Sequence, residues 1–361
     1  MKIVSILGAR PQFIKAAPVS RAFKENGIQE FIVHTGQHYD YGLSEIFFSE
    51  LEISEPRINL GVGSGTHAQQ TGRMLIELEP ILNAQQPDLV LVYGDTNSTI
   101  AGALAAVKLN LPLAHVESGL RSYNREMPEE HNRVITDHCA DILFCPTQTA
   151  IENLVREGIT EGIFLSGDTM YDALVRFGKI AAQKSKILEK LQLMKGNFLL
   201  TTIHRAYNTD HIDRLKSILA AFQQISDVIV FPIHPRTQQA ISSARIPISK
   251  NIMIIDPVGY LDMLMLESNA RLILTDSGGI QKEAYFFHIP CLTLRPETEW
   301  VETVTSGWNK LVDCDSMKII EGITDNDWGK LDHPDYFGDG NASQKIVNIL
   351  TTQFHQRPSN R

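Results

Sequence analysis

Short β-branched and apolar runs recur along the chain, each separated from the next by a longer amphipathic stretch. The first group is "KIVSILG", "EFIVHTG", "DLVLVYG", "LPLAHVES", "ILFCP" and "IFLSG". A charged stretch near Lys184 to Lys195 follows. Then come "FLLTTIH", "VIVFPIH", "IMIIDP", "RLILT", "CLTL" and "KLVDC". Runs of this length, alternating with helix-length segments, predict βα units and parallel sheets with about twelve strands in all. The polar helical break at mid-chain divides the runs into two sets. The pattern therefore predicts an α/β protein of two Rossmann-like doubly wound domains facing each other across a cleft. We place the first at residues 1–170 and the second at 171–342, with a final helix over about 343–356 packing back on the first.

Length agrees with that division, since 361 residues exceed what one ordinary core holds. No apolar run reaches the ~20 residues of a membrane span. The N-terminal "MKIVSILGAR" reads as a strand that runs into Arg10, not as a signal peptide. A net charge of -9 argues against a nucleic-acid partner. Four cysteines, Cys139, Cys145, Cys291 and Cys314, show no CxxC and no metal spacing, so buried thiols in a reducing compartment are expected. No His/Cys/Asp cluster has ligand spacing, and no catalytic metal is expected.

In doubly wound sheets, ligands bind beyond the carboxyl ends of the strands, so the residues just after each run carry the chemistry. After "SILG" come Arg10 and Lys15. After "VHTG" come Gln37 and His38. After "LVYG" comes Asp95, and after "LAHV" come Glu117, Ser118 and Arg121. In the second half, "TTIH" ends at His204-Arg205, "FPIH" at His234, and "LILT" at Asp276-Ser277-Gly278-Gly279. A strand that breaks at Ser-Gly-Gly into a helix offers backbone N–H groups at the positive helix end, and glycine lets an anion approach closely. Ser277, Gly278 and Gly279 thus form a phosphate-cradle candidate; the plainer reading is a tight turn with Ser277 as N-cap. Glu283, within the helix, reads either as a ribose contact or as a solvated residue. "GVGSGT" at 61–66 lacks the third glycine of GxGxxG, and no GxxxxGK[ST] is present. Asp95 and Glu117 end consecutive predicted strands, which would bring their carboxylates within a few ångströms and let each shift the other's pKa. Lys15 alone reads as a helix-surface lysine. Glu129 and Glu130, behind Pro128, read as complements of the helix dipole. His115, His131 and His138 read as structural histidines.

Taken together, "GARPQFIKAAPV", "TGQHYD", "VYGDTNST", "HVESGLRS", "MPEEHNRVITDH", "TIHRAYN", "FPIHPRT" and "LTDSGGIQKEA" occur in the order found in the non-hydrolysing UDP-N-acetylglucosamine 2-epimerases, which the chain resembles over nearly its full length. The resemblance implies a cytoplasmic homodimeric isomerase of GT-B-like fold. Its substrate is a UDP-sugar, with no redox cofactor and no membrane or nucleic-acid partner. The family's route expels UDP from C1 as the C2 proton leaves, then adds UDP back with protonation on the other face. By resemblance, Asp95, Glu117, Glu129 and His204 are catalytic. Arg10, Lys15, His204, His234, Ser277, Gly278, Gly279 and Glu283 hold UDP. Many members read "TERPE" where this chain has "TEWVE", with Trp300 in place of the arginine. A branch acting on UDP-2,3-diacetamido-2,3-dideoxyglucuronate shares that variation and gives the alternative substrate. Its extra carboxylate would need a cation, for which Arg121, Arg125, Arg205 and Arg236 are candidates. Tyr39 follows His38 where some members carry an activator-site arginine. A glycosyltransferase on the same fold, a nucleotide-sugar sensor and a hydrolysing epimerase are the competing readings.

Overall fold

The computed structural model describes residues 1–37, 51, 53, 55–325, 327–328 and 332–356; His38 and Tyr39 lie outside them. The chain forms two compact units, Met1–Val175 with Asp335–Arg361, and Arg176–Pro334. The division thus falls a few residues later than position 170. The return to the first unit falls before the terminal helix, at Asp335, not at 343.

In the first unit, seven parallel strands are described: β1 Lys2–Leu7, β2 Gln29–His34, β3 Ile58–Asn59, β4 Leu89–Tyr93, β5 Leu113–Val116, β6 Ile142–Cys145 and β7 Ile163–Leu165. Their order is β3-β2-β1-β4-β5-β6-β7. The edge strand β3 is two residues long, too short to stand out in the pattern of apolar runs. β1, β4, β5 and β6 are almost wholly buried because helices cover both faces, which is why each reads as an unbroken apolar run. Helix Asn97–Lys108 is built from small residues and sits close on the sheet: a Cβ at Gly102 would lie 2.8 Å from Ile6 Cδ1 and 3.0 Å from Val92 Cγ1.

The second unit repeats the plan with β8 Phe198–Thr202, β9 Val228–Pro232, β10 Ile252–Ile255, β11 Leu272–Thr275, β12 Cys291–Thr293 and β13 Asn309–Leu311. Its order is β10-β9-β8-β11-β12-β13, again all parallel. Alternate residues feed two cores. Leu199, Phe231, Leu272 and Leu274 meet Leu215, Ile218 and Phe222 of helix Ile212–Phe222. Phe198, Leu200, Val230 and Ile273 meet Leu266 and Ala284 on the other face.

Both sheets reverse strand order beside their first strand, between β1 and β4 and between β8 and β11. Successive crossovers run to opposite sides there, and a crevice opens at the carboxyl ends. Gln12 ties the first reversal together. Its buried Oε1 accepts from the N–H of Gly8 at 2.8 Å and of Ala9 at 3.0 Å, while its Nε2 donates to Tyr93 O at 2.8 Å. Gly8 has to be glycine, since a Cβ would overlap Ser98 Oγ and Thr35 Oγ1.

The loop after β5 is set by a buried charge network. His115 bridges Gly94 O and Asp137 Oδ1, both at 2.7 Å. Asp137 Oδ2 also accepts from Gly119 N at 3.1 Å and from Arg121 Nη1 at 2.7 Å. Arg121 grips Glu157 bidentately at 2.7 and 2.6 Å. Burial alone would push the Asp137 carboxyl up, but the bonds and charges of His115 and Arg121 prevail and hold it below its usual value. His115 is thus structural. His131 Nε2 lies 2.8 Å from Arg125 O, and half-exposed His138 lies 3.4 Å from Glu157. Cys145 and Cys291 are buried free thiols; Cys139 and Cys314 are also free and partly buried.

Asp137→Asn leaves Arg121 short of a buried partner and should destabilise the protein by about 3–5 kcal/mol at neutral pH. Because the folded carboxyl titrates below the unfolded one, its contribution is present above about pH 4 and fades as pH falls through the folded value. Urea unfolding of both proteins at neutral and acid pH should show the gap narrowing in acid; a gap independent of pH contradicts the charged role.

Candidate active site

At the first reversal, Arg10 opens helix Arg10–Glu25 and is exposed, one turn before Lys15. Lys15 is not a surface lysine. It is buried, and its Nζ pairs with Glu117 Oε2 in an ion pair that water scarcely reaches. Glu117 follows β5 with φ at +71°, a left-handed conformation costly for a residue with a Cβ. Gly94, after β4, makes room for the pair: a Cβ there would lie 3.1 Å from Lys15 Nζ and 3.2 Å from Glu117 Oε2. Strain, a buried cation and a bare neighbouring backbone thus converge on one carboxylate.

Asp95, two residues beyond β4, is paired with Arg133 Nη2. Each of the two carboxylates thus has a cation of its own, Lys15 for Glu117 and Arg133 for Asp95. Arg133, on helix Pro128–Cys139, also donates from Nη1 to Glu130 Oε2 at 2.7 Å. Buried Glu130 accepts in addition from Ser122 N at 2.9 Å, Ser122 Oγ at 2.8 Å and Tyr123 N at 2.9 Å. Its role is to pin the preceding loop. Glu129, beside it in the first helical turn, is only partly buried. The two glutamates that looked alike in sequence thus separate into a structural one and an accessible one. Asn132 Nδ2 donates to Asp95 O at 2.9 Å and completes the hold on that turn.

At the second reversal, β8 and β11 end in register, Thr202 opposite Thr275, with their hydroxyl oxygens 2.6 Å apart. Asp276 follows, fully buried. Its carboxylate accepts from His204 N at 3.1 Å, Arg205 N at 3.0 Å and Asn208 Nδ2 at 3.1 Å, and lies 3.3 Å from His204 Nδ1. It fixes the loop that carries His204, whose ring remains two-fifths exposed. His234 stands at the N-cap of helix Pro235–Ser243, its ring 6.2 Å from that of His204. Burial, and then Arg236, lower the His234 pKa.

Ser277 occupies the N-cap of helix Gly278–Phe286, but its side chain makes no capping hydrogen bond. The plain reading of Ser277 as N-cap holds in position, but its hydroxyl does not consume the first-turn N–H groups. Gly278 allows close packing as well as anion approach. A Cβ there would overlap Glu299 Oε1 and lie 3.4 Å from Trp300 Nε1. Gly279 follows in the same first turn. Trp300 is buried, with Lys282 Nζ 4.0 Å from its ring centroid. Glu283 is buried too, and Tyr260 donates to its Oε1 at 3.2 Å.

Two of the arginines proposed for an extra substrate carboxylate are committed elsewhere. Arg121 is buried on Asp137 and Glu157, and Arg236 is bound to Asp210 at 2.6 Å. Arg125 is exposed and Arg205 partly so. Sequence reasoning passed over Gln12, Gly94 and Arg133, and named Asp276 only as a residue at a strand end. Arg133 had a usable signal, its helical spacing from Glu129 and Glu130. Gln12 had none. Among the described residues, no group of three His, Cys, Asp or Glu side chains is placed to hold a metal ion, and no helix is long and apolar enough to cross a membrane.

Residues 21–351 match the family model described as UDP-N-acetylglucosamine 2-epimerase. A Methanococcus maripaludis protein described as a UDP-N-acetylglucosamine 2-epimerase homolog is 54% identical over 97% of this chain and 99% of its own. The Pseudomonas aeruginosa UDP-2,3-diacetamido-2,3-dideoxy-D-glucuronate 2-epimerase is 48% identical, covering 97% of this chain and 99% of its own. The crystal structure of Methanocaldococcus jannaschii UDP-GlcNAc 2-epimerase in complex with UDP-GlcNAc and UDP superposes with a TM-score of 0.91 at 45% identity, covering 98% of this chain and 100% of that one. The family match over residues 21–351 and the 54% identity over nearly the whole chain show that it belongs to the UDP-N-acetylglucosamine 2-epimerase family.

Proposed function

We propose that the protein interconverts UDP-GlcNAc and UDP-ManNAc by elimination and re-addition of UDP. The observation that carries this reading is the Lys15–Glu117 pair at the first reversal: a strained carboxylate kept as an anion by a buried cation, with Asp95 on Arg133 at the end of the adjacent strand. Inverting C2 needs a base on one face and an acid on the other. Asp95, Glu117 and Glu129 supply that set. As the base takes the C2 proton, the C–H electron pair forms the C1–C2 double bond and the C1–O bond breaks toward UDP. Re-addition with protonation from the opposite face completes a redox-neutral exchange. Arg10, His204 and the Ser277-Gly278-Gly279 helix end hold the departing diphosphate, while Lys15 is committed to Glu117. Fixed donors of this kind are worth about 3 kcal/mol each where charge develops. Glu283 and His234 complete the nucleotide contacts. The family resemblance supports a cytoplasmic homodimer, and family membership weighs against a glycosyltransferase.

The second reading, epimerisation of UDP-2,3-diacetamido-2,3-dideoxyglucuronate, is favoured by the Pseudomonas aeruginosa relative and by Trp300. Against it stands the commitment of Arg121 and Arg236 to carboxylates of the protein itself. Comparing kcat/KM for the two nucleotides should favour UDP-GlcNAc; epimerisation of the uronate with UDP-GlcNAc left untouched reverses the assignment.

Turnover in deuterium oxide should place deuterium at C2 of both epimers, read by NMR. A C2 hydrogen carried through many turnovers would rule out solvent-exchanging acid–base chemistry. Asp95→Asn and Glu117→Gln should each lower kcat by at least ~10²-fold with little loss of UDP affinity. Arg10→Ala should weaken UDP itself in calorimetry, and unchanged affinity would send the diphosphate elsewhere.

A further inference from the structure

Asp276, at the second reversal, is an acidic group that the proposed chemistry leaves unused, and it is fully buried. Its place is specific. It follows β11 directly, reaches across to the loop after β8, and accepts from the backbone N–H groups of His204 and Arg205 and from Asn208 Nδ2. Its Oδ1 also lies 3.3 Å from His204 Nδ1. A buried carboxylate accepts hydrogen bonds and has no proton to give in its ionised form. A ring nitrogen that bonds to it has to carry the hydrogen.

Resting on the functional reading above, we propose that Asp276 is a positioning residue that holds His204 protonated at Nδ1, so that Nε2 is the nitrogen presented to the substrate's diphosphate. The charged and titratable groups around His204 are consistent with this division. Arg205 is its chain neighbour and is held through its N–H by the same carboxylate. His234, 6.2 Å away, uses its own Nδ1 to accept from Arg236 N at 3.2 Å, and the Arg236 side chain is bound to Asp210. The two rings therefore have opposite arrangements: Nδ1 of His234 is an acceptor, Nδ1 of His204 a donor. The His204 ring is two-fifths exposed. In the imidazolium form Nε2–H donates to a phosphate oxygen, and the Asp276 carboxylate stabilises that charge from behind.

The test reads the tautomer first. Long-range proton–nitrogen correlation spectra of the wild-type protein, with the His204 signals identified by their absence in His204→Gln, should show neutral His204 protonated at Nδ1. A ring protonated at Nε2 overturns the proposal, and this result needs no Asp276 variant to fold. UDP affinity is then measured by calorimetry against pH. The wild-type affinity should be highest where His204 is charged and fall as pH rises through its titration. His204→Gln should bind UDP about ten- to a hundredfold more weakly at the acid end and lose this inflection. Asp276→Asn, checked by circular dichroism, should move the inflection down by on the order of one pH unit. An unmoved inflection in a folded Asp276→Asn protein contradicts the role. A His204→Gln protein that binds UDP as the wild type does overturns the diphosphate contact even if the tautomer is as expected. Failure to epimerise UDP-GlcNAc, with tautomer and UDP profile as expected, sinks the functional reading alone.

Discussion

Everything chemical in this protein depends on a constraint of the doubly wound sheet: strand order must reverse somewhere, and at the reversal two neighbouring crossovers leave toward opposite faces. No helix can then cover the carboxyl ends at that point. Backbone donors and side chains that any other turn would bury are left facing outward. Each unit has one such place, and in each the residues that follow the two flanking strands are charged or small. Arg10 and Asp95 flank the first reversal; His204 and Asp276-Ser277-Gly278 flank the second.

An opening of this kind is useful only if its walls are rigid, and each reversal is braced from behind by buried polar groups. Gln12 binds the turn after β1 to the end of β4. The His115–Asp137–Arg121–Glu157 chain fixes the loop after β5 from beneath, sharing Gly94 O with the turn that faces the Lys15–Glu117 pair. Asp276 does the equivalent work in the second unit. Buried networks of this sort contribute little net stability when intact but are costly to break, because each partner is already out of water. Their value lies in geometry, and at Glu117 the geometry maintained includes a backbone angle that an unbraced loop would relax.

The pairing of carboxylates with separate cations changes the chemical picture. Two bare carboxylates at one sheet edge would repel, and one would take up a proton. Here Lys15 sits on Glu117 and Arg133 on Asp95, so the two carboxylates differ in their partners and in the strand each follows. The arginines tell a related story. Arg121 and Arg133 come from neighbouring motifs; Arg121, a candidate ligand contact by sequence, is a structural strut, and Arg133, which the sequence reading passed over, supports a candidate catalytic group.

By itself the sequence determined what depends on local order along the chain. The apolar runs mark buried parallel strands because helices on both faces remove any alternation, and the polar residues after them mark the ends where ligands bind. Arg10, Asp95, Glu117, His204 and the Ser-Gly-Gly turn were all legible as residues beyond strand ends, and so was the division into two sets of strands. What the tertiary structure alone decided is partnership. Lys15 and Glu117 are 102 residues apart, and Asp95 and Arg133 are 38. Whether a charged residue near a strand end faces solvent, a ligand or a buried counter-charge depends on groups brought in by other crossovers. Spacing along one helix cannot distinguish Glu129 from Glu130, because only the loop folded over Glu130 shows which of them is consumed. The two-residue strand β3 escaped notice for the same reason: so short a segment takes its conformation from the neighbour it pairs with, not from its own pattern.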